Sequence, residues 1–162
     1  MIWALSHQYD PTARALADRH YSRQKVGDPQ FSPPGKKLVL VTPKGDAVWI
    51  TLAQKFIDHA WKDSWNNCLF RNESSHLSST MIREAVAASL WYFGEPPSQG
   101  LITFIDCKKI KRKRDPGRCY LRAGFEAAGW TQSGKLVLQL LPDQMPDAVA
   151  PIGSQTELFA DG

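Results

Sequence analysis

The sequence predicts a single α/β (α+β) domain, a mixed sheet organised around a central βαβ unit. Three observations predict it. Two β-branched runs flank a Pro-Lys-Gly-Asp turn, which reads as an antiparallel hairpin. An apolar strand, a long amphipathic helix and a second apolar strand then follow in succession, which reads as a right-handed crossover. Finally, 162 residues with 43% hydrophobic and 22% charged content suffice for one core and fall short of two ordinary domains.

In chain order, Asp10-Pro11-Thr12 is the first helix signal, an N-cap acceptor followed by proline at N1, where its missing N–H costs nothing. Ala13, Leu16, Ala17 and His20 recur at i, i+3, i+4 and i+7, which puts His20 on the inward face of that helix. Residues 22–37 hold three prolines and two glycines with little periodicity and read as a long loop. The hairpin strands are 37–42 and 47–52, and residues 54–65 fit either a short helix or a structured loop. Residues 67–73 read as a buried strand. A helix then opens at Ser78-Ser79-Thr80 with hydroxyl caps, carries the stripe Ile82, Ala85, Val86, Ser89, Phe93, and stops at Gly94. Residues 101–106 form the second parallel strand, ending in Asp106. Asp115-Pro116 opens a short helix closed by Gly124, and residues 130–132 and 135–141 are the last strands. The body is residues 1–141, and residues 142–162 form an acidic, proline-containing tail, disordered or draped.

Cys68, Cys107 and Cys119 are odd in number and lack C-x-x-C spacing, which points to reduced, mostly buried thiols. His7, His20, His59 and His76 show no metal-ligand spacing, so no metal site is assigned. The absence of an apolar run of about 18 residues and of a leader pattern suggests a soluble, cytoplasmic protein with no membrane partner. The net charge of +4 is unevenly spread: the tail holds four acidic residues and no cation, leaving 20 Lys and Arg against 12 acidic residues in the body. Lys108, Lys109, Lys111, Arg112, Lys113 and Arg114 crowd six cations into seven residues. That distribution suits a polyanion, DNA above all, because neutralising phosphates releases condensed counterions.

The segment Tyr120-Leu121-Arg122-Ala123-Gly124-Phe125, followed by Gly129-Trp130-Thr131, resembles the Y-x-x-A-G-F…G-W-T element of the GNAT acyltransferase superfamily. The order of predicted elements over residues 37–141 is similar to that fold, which implies a cleft between two splayed parallel strands. His20-Tyr21-Ser22, Phe70-Arg71-Asn72-Glu73 before the Ser78 helix start, Asp106 at a strand end, and Pro116-Gly117-x-x-Tyr120 narrow the resemblance toward the Mom-type bacteriophage DNA-modification enzymes. That resemblance implies transfer of an acyl-type group to a nucleobase amine, which protects phage DNA from restriction, in the cytoplasm of a bacterial host. Its implied donor is acetyl-CoA or another acyl-CoA. Residues 71–79, RNESSHLSS, contain none of the glycines that the superfamily places at the pyrophosphate.

His20 can accept a proton near neutral pH, and Asp106 sits at the strand edge where open α/β sheets collect ligands. The resemblance implies that Tyr120 protonates the leaving group. Arg71 and Asn72, with Glu73, place polar side chains at the end of an apolar strand, which favours a cleft; with Ser78 and Ser79 they could hold an anionic donor. Tyr21 is a candidate base-stacking platform, Arg118 and Arg122 could extend the basic loop, and Trp61 or Trp65 could receive an extruded base. Each residue also has a structural use: a bonded core histidine, a turn cap, a packed phenol, a solvated basic loop. Two other functions use the same features, an N-acetyltransferase for a small amine or protein and a non-catalytic DNA-binding protein on the same scaffold.

Overall fold

The computed structural model describes residues 1–20, 23–54, 57, 59–109 and 117–154. It is a mixed α+β fold in which a seven-stranded sheet lies between helices. The strands are β1 (Ala4–Leu5), β2 (Lys36–Val41), β3 (Ala47–Ala53), β4 (Trp65–Asn72), β5 (Leu101–Ile105), β6 (Glu126–Trp130) and β7 (Leu136–Leu140). The helices are α1 (Pro11–Asp18), α2 (Ser78–Phe93) and α3 (Arg118–Arg122), with a 3₁₀ turn at Pro142–Gln144. The sheet order is β1-β2-β3-β4-β5-β7-β6, and among the described residues β4 with β5 is its one parallel pair between strands.

The hairpin runs β2 and β3 are apolar without alternation because both faces of the sheet are covered. Leu38, Leu40, Ala47 and Trp49 point to the α2 side, where Met81, Ile82, Ala85 and Val86 meet them. Val39, Val41, Val48 and Ile50 point to the α1 side, against Ala13, Leu16 and Ala17. Burying Leu16 contributes about 1.5–3 kcal/mol and Ala13 and Ala17 add less each, so packing on the sheet holds an eight-residue helix that would not persist alone. A chain of polar side chains in this core is paired: Trp49 Nε1 donates to Thr51 Oγ1 at 2.7 Å, Thr51 and Ser89 hydroxyls lie 2.7 Å apart, and Ser89 Oγ donates to Ala85 O.

Several expectations shift. Asp10 caps α1 through Thr12 N–H as expected, but the helix ends at Asp18, so His20 follows it rather than riding its inward face. Residues 54–65 give no helix in their described part, and β4 starts two residues early, at Trp65. The cap residue of α2 is Leu77, and no hydroxyl caps the helix. The cap of α3 is Gly117, and the expected Asp115-Pro116 start lies outside the described residues. β6 occupies Glu126–Trp130 rather than 130–132. The stretch 142–154 is seated on the body: Ile152 exchanges backbone hydrogen bonds with Trp3 and Leu5, Val149 N–H donates to Ala87 O, and Ser154 is fully buried. All three cysteines are free and half-buried. No helix among the described residues is long and apolar enough to cross a membrane.

Candidate active site

The ladder between β4 and β5 consists of two pairs, Trp65 with Leu101 and Asn66 with Ile102, and then stops. β4 continues along β3 to Asn72 while β5 continues along β7 to Ile105. Their parting has a local cause. The β3–β4 register shifts between Ile50 and Thr51, which pair with Leu69 and Asn67, so Cys68 is an extra residue. A bulge bends its strand and increases its twist, which carries the second half of β4 away from β5.

A cavity of about 590 Å³ fills the opening, lined by His20, Asp106 and Tyr120 together with residues of both parted strands. The three candidate catalytic residues thus share one cavity although they come from the turn after α1, the end of β5 and α3. Arg71, Asn72, Ser78 and Lys109 also line it, whereas Ser79, Lys108 and Arg118 do not. Tyr21, Lys111, Arg112, Lys113 and Arg114 lie outside the described residues. Trp65 is buried against Phe93 with 6% exposure and is not placed to receive a base.

Arg71 was expected to hold an anion, but it is engaged with the protein. Its Nε donates to Glu73 Oε2 at 2.5 Å and its Nη1 to Arg19 O at 2.8 Å. Arg19 reaches the same carboxylate through Nε at 2.7 Å and Nη2 at 3.0 Å. The two guanidiniums, Arg19 first and Arg71 second, hold the Glu73 carboxyl down at about 2. This clamp ties the residue preceding His20 to the end of β4. Asn72 likewise organises the β4–α2 loop: its Nδ2 donates to His76 O and Ser78 Oγ, both at 2.9 Å, and its Oδ1 accepts from Ser74 N–H. The polar triplet therefore satisfies itself as well as bordering the cavity.

Tyr120 is 7% exposed, with its ring edge-to-face against Phe70 and Phe125. Its hydroxyl donates to Asn67 Oδ1 at 2.5 Å. Asp106 closes a turn, one carboxylate oxygen accepting from Lys108 N–H at 3.1 Å. Gly117 lines the cavity at φ +76°, and a Cβ there would stand 2.5 Å from Leu138 Cδ1, so glycine lets α3 start against the sheet. Cys68 also lines the wall, but burial pushes its thiol up to about 12, which keeps it protonated at neutral pH. Among the described residues no group of His, Cys, Asp and Glu is arranged to hold a metal.

Sequence reasoning missed Asn67, Arg23, Gln24, Phe104 and Lys135 on this wall. Asn67 had a weak signal, an amide beside the apolar run Cys68-Leu69-Phe70 in a strand read as buried. Arg23 and Lys135 had none, because they come from loops whose approach is set by the tertiary fold. Among the described residues, four cationic side chains line the cavity against one carboxylate, Asp106. Two of the four, Arg23 and Arg71, are paired with Asp18 and Glu73, which leaves Lys109 and Lys135 as further positive groups.

No family model matches the chain, and neither a curated protein nor a solved structure does.

Proposed function

We propose that the cavity between β4 and β5 is the active site of a GNAT-like acyltransferase that modifies a nucleobase amine in DNA. The observation that carries this reading is that the parallel strand pair opens onto a cavity lined by an imidazole, a carboxylate and a phenol. The strand order, with five antiparallel pairings around that single parallel pair among the described residues, supports the GNAT-like reading of the fold.

The chain has groups that suit an acyl-CoA donor. Beyond Asn66, the β4 edge facing the opening has no strand partner among the described residues, and although Asn67 O and Leu69 O accept from Thr103 Oγ1 and Asn67 Nδ2, its other peptide groups suit an extended amide chain. The 16-residue α2 begins beside the cavity at Ser78 with no side-chain cap, and its first N–H groups and dipole favour an anion. Such a donor would supply an acyl carbon activated by a thioester. His20, steadied by the Glu73 clamp, accepts the proton that the attacking amine loses, and Asp106 orients that amine. As the amine–carbon bond forms and the carbon–sulfur bond breaks, Tyr120 gives its O–H proton to the departing sulfur. The proton collected by His20 returns to the phenolate through solvent, so the cycle closes. Lys109 and Lys135 at the wall, with Lys108 and Arg118 on the nearby surface, hold the DNA phosphates.

The test is to express the protein in cells, digest their DNA and examine the nucleosides by mass spectrometry. A new nucleoside in the wild type that is missing with Asp106→Asn supports the reading. Saturable acetyl-CoA turnover with a small amine, and no modified nucleoside, would replace DNA by a smaller acceptor.

A further inference from the structure

We propose that Asn67 is the positioning residue for Tyr120, a role that rests on the acyltransferase reading above. The hydrogen-bond network around Asn67 fixes the direction of the phenolic proton. Asn67 is 3% exposed within β4, where an unpaired buried amide would be costly. Its Nδ2 reaches two carbonyls, Ile50 O at 3.0 Å and Leu69 O at 2.8 Å, one on each strand of the bulge. Carbonyls only accept, so the NH₂ group must face them and the amide oxygen must face Tyr120. That oxygen also only accepts, so the phenol is the donor in their 2.5 Å contact. Thr103 Oγ1 donates to Asn67 O at 3.1 Å and braces the same residue from β5.

Two consequences follow for the site. The bulge that parts β4 from β5 is completed by the same side chain that holds the phenol, so opening of the cleft and placement of Tyr120 depend on one residue. In the resting state Tyr120 directs its O–H to Asn67. To protonate a leaving group it must turn its O–H from Asn67 toward that group, and Asn67 keeps the proton parked until negative charge develops there. Asn67 thus acts through Tyr120 and not on the substrate.

A double-mutant cycle tests this with two readouts, the denaturant unfolding midpoint and the yield of modified nucleoside in expressing cells at matched protein level. Asn67→Ala, Asn67→Asp and Tyr120→Phe are made singly, and each Asn67 variant is combined with Tyr120→Phe. In the Tyr120→Phe background, Asn67→Ala should lower stability by clearly less than it does alone, because the shared bond is already gone while the bonds to Ile50 and Leu69 remain to be lost. Asn67→Ala should cut nucleoside yield about tenfold in the wild-type background and leave it unchanged in Tyr120→Phe. Asn67→Asp, which keeps an acceptor for the phenol but loses the donors to Ile50 and Leu69, should retain more yield than Asn67→Ala despite a lower midpoint. Additive losses in both readouts would overturn the inference while leaving the acyltransferase reading intact. If the wild type makes no modified nucleoside, that reading fails, and the stability cycle alone then decides whether Asn67 holds Tyr120.

Discussion

Replacing Gly100 by alanine should damage the point where β4 and β5 begin their short ladder. Gly100 has φ +70°, and its carbonyl accepts the N–H of Trp65, the first residue of β4. A Cβ built there falls 2.0 Å from Leu140 O and 2.9 Å from Leu140 C, both backbone atoms of β7 that cannot move without disturbing the β5–β7 pairing. The left-handed conformation alone costs an alanine about 1–2 kcal/mol. Relieving an overpacked contact adds about 1–3 kcal/mol, so the total is about 2–5 kcal/mol. For a chain of this size, each kcal/mol lowers the melting temperature by about 2–4 °C, which predicts a fall of about 4–20 °C. Gly134 provides the control: it has φ +89° with open space around its Cβ position, so Gly134→Ala carries the conformational cost alone. Thermal unfolding followed by circular dichroism compares the two. Equal losses would mean that β7 does not approach Gly100 as described and would refute the packing argument.

The Glu73 clamp predicts that Glu73→Gln lowers nucleoside yield several-fold by loosening the turn that bears His20, while stability falls by no more than about 1 kcal/mol because the ion pairs are exposed. Since the folded Glu73 carboxyl is depressed from 4.5 to about 2, the stability difference between wild type and Glu73→Gln should be full above pH 4.5 and shrink as the pH falls toward 2. Urea unfolding at a series of pH values reads it, and a difference that grew on acidification would contradict the pairing. Cys68, with its thiol raised from 9.0 to about 12, should alkylate about a thousandfold more slowly in the native protein than in the urea-unfolded chain at pH 8. Mass spectrometry of iodoacetamide-treated peptides measures this, and equal rates in the two states would show that the cavity wall is open at β4. Tyr120→Phe should keep the fold, since Phe70 and Phe125 still hold the ring, yet abolish most of the nucleoside yield. Wild-type yield from Tyr120→Phe would remove the phenol from the mechanism.

Local chemistry explains which parts of this structure were readable from the chain. The β2–β3 hairpin and α1 announce themselves through residues that act on their own neighbours, Pro43 and Gly45 in the turn and Asp10 with Pro11 at the helix start. The βαβ unit was readable because α2 is long enough for its buried stripe to repeat. β1 is two residues long and exists through its pairing with β2, held by Trp3 Nε1 on Met81 O and by Ile152 alongside, partners 78 and about 150 positions away that no local pattern encodes. β6, with the sequence EAAGW, has neither β-branching nor alternation, and its pairing with β7 alone makes it a strand. In the site, the convergence of His20, Asp106 and Tyr120 was anticipated. The engagement of Arg71 was not, because its partners Arg19 and Glu73 are joined only after α1 docks on the sheet. Asn67 was passed over because it was read as one more residue of an apolar strand, whereas the bulge gives its amide three partners.

The most direct measurement is a crystal structure of the protein soaked with acetyl-CoA. The account predicts density threading the opening between β4 and β5, with the pyrophosphate at the start of α2 and the thioester within reach of the Tyr120 hydroxyl. A β4–β5 ladder that continues past Asn66 and closes the groove, or ligand bound on a different face, would contradict it.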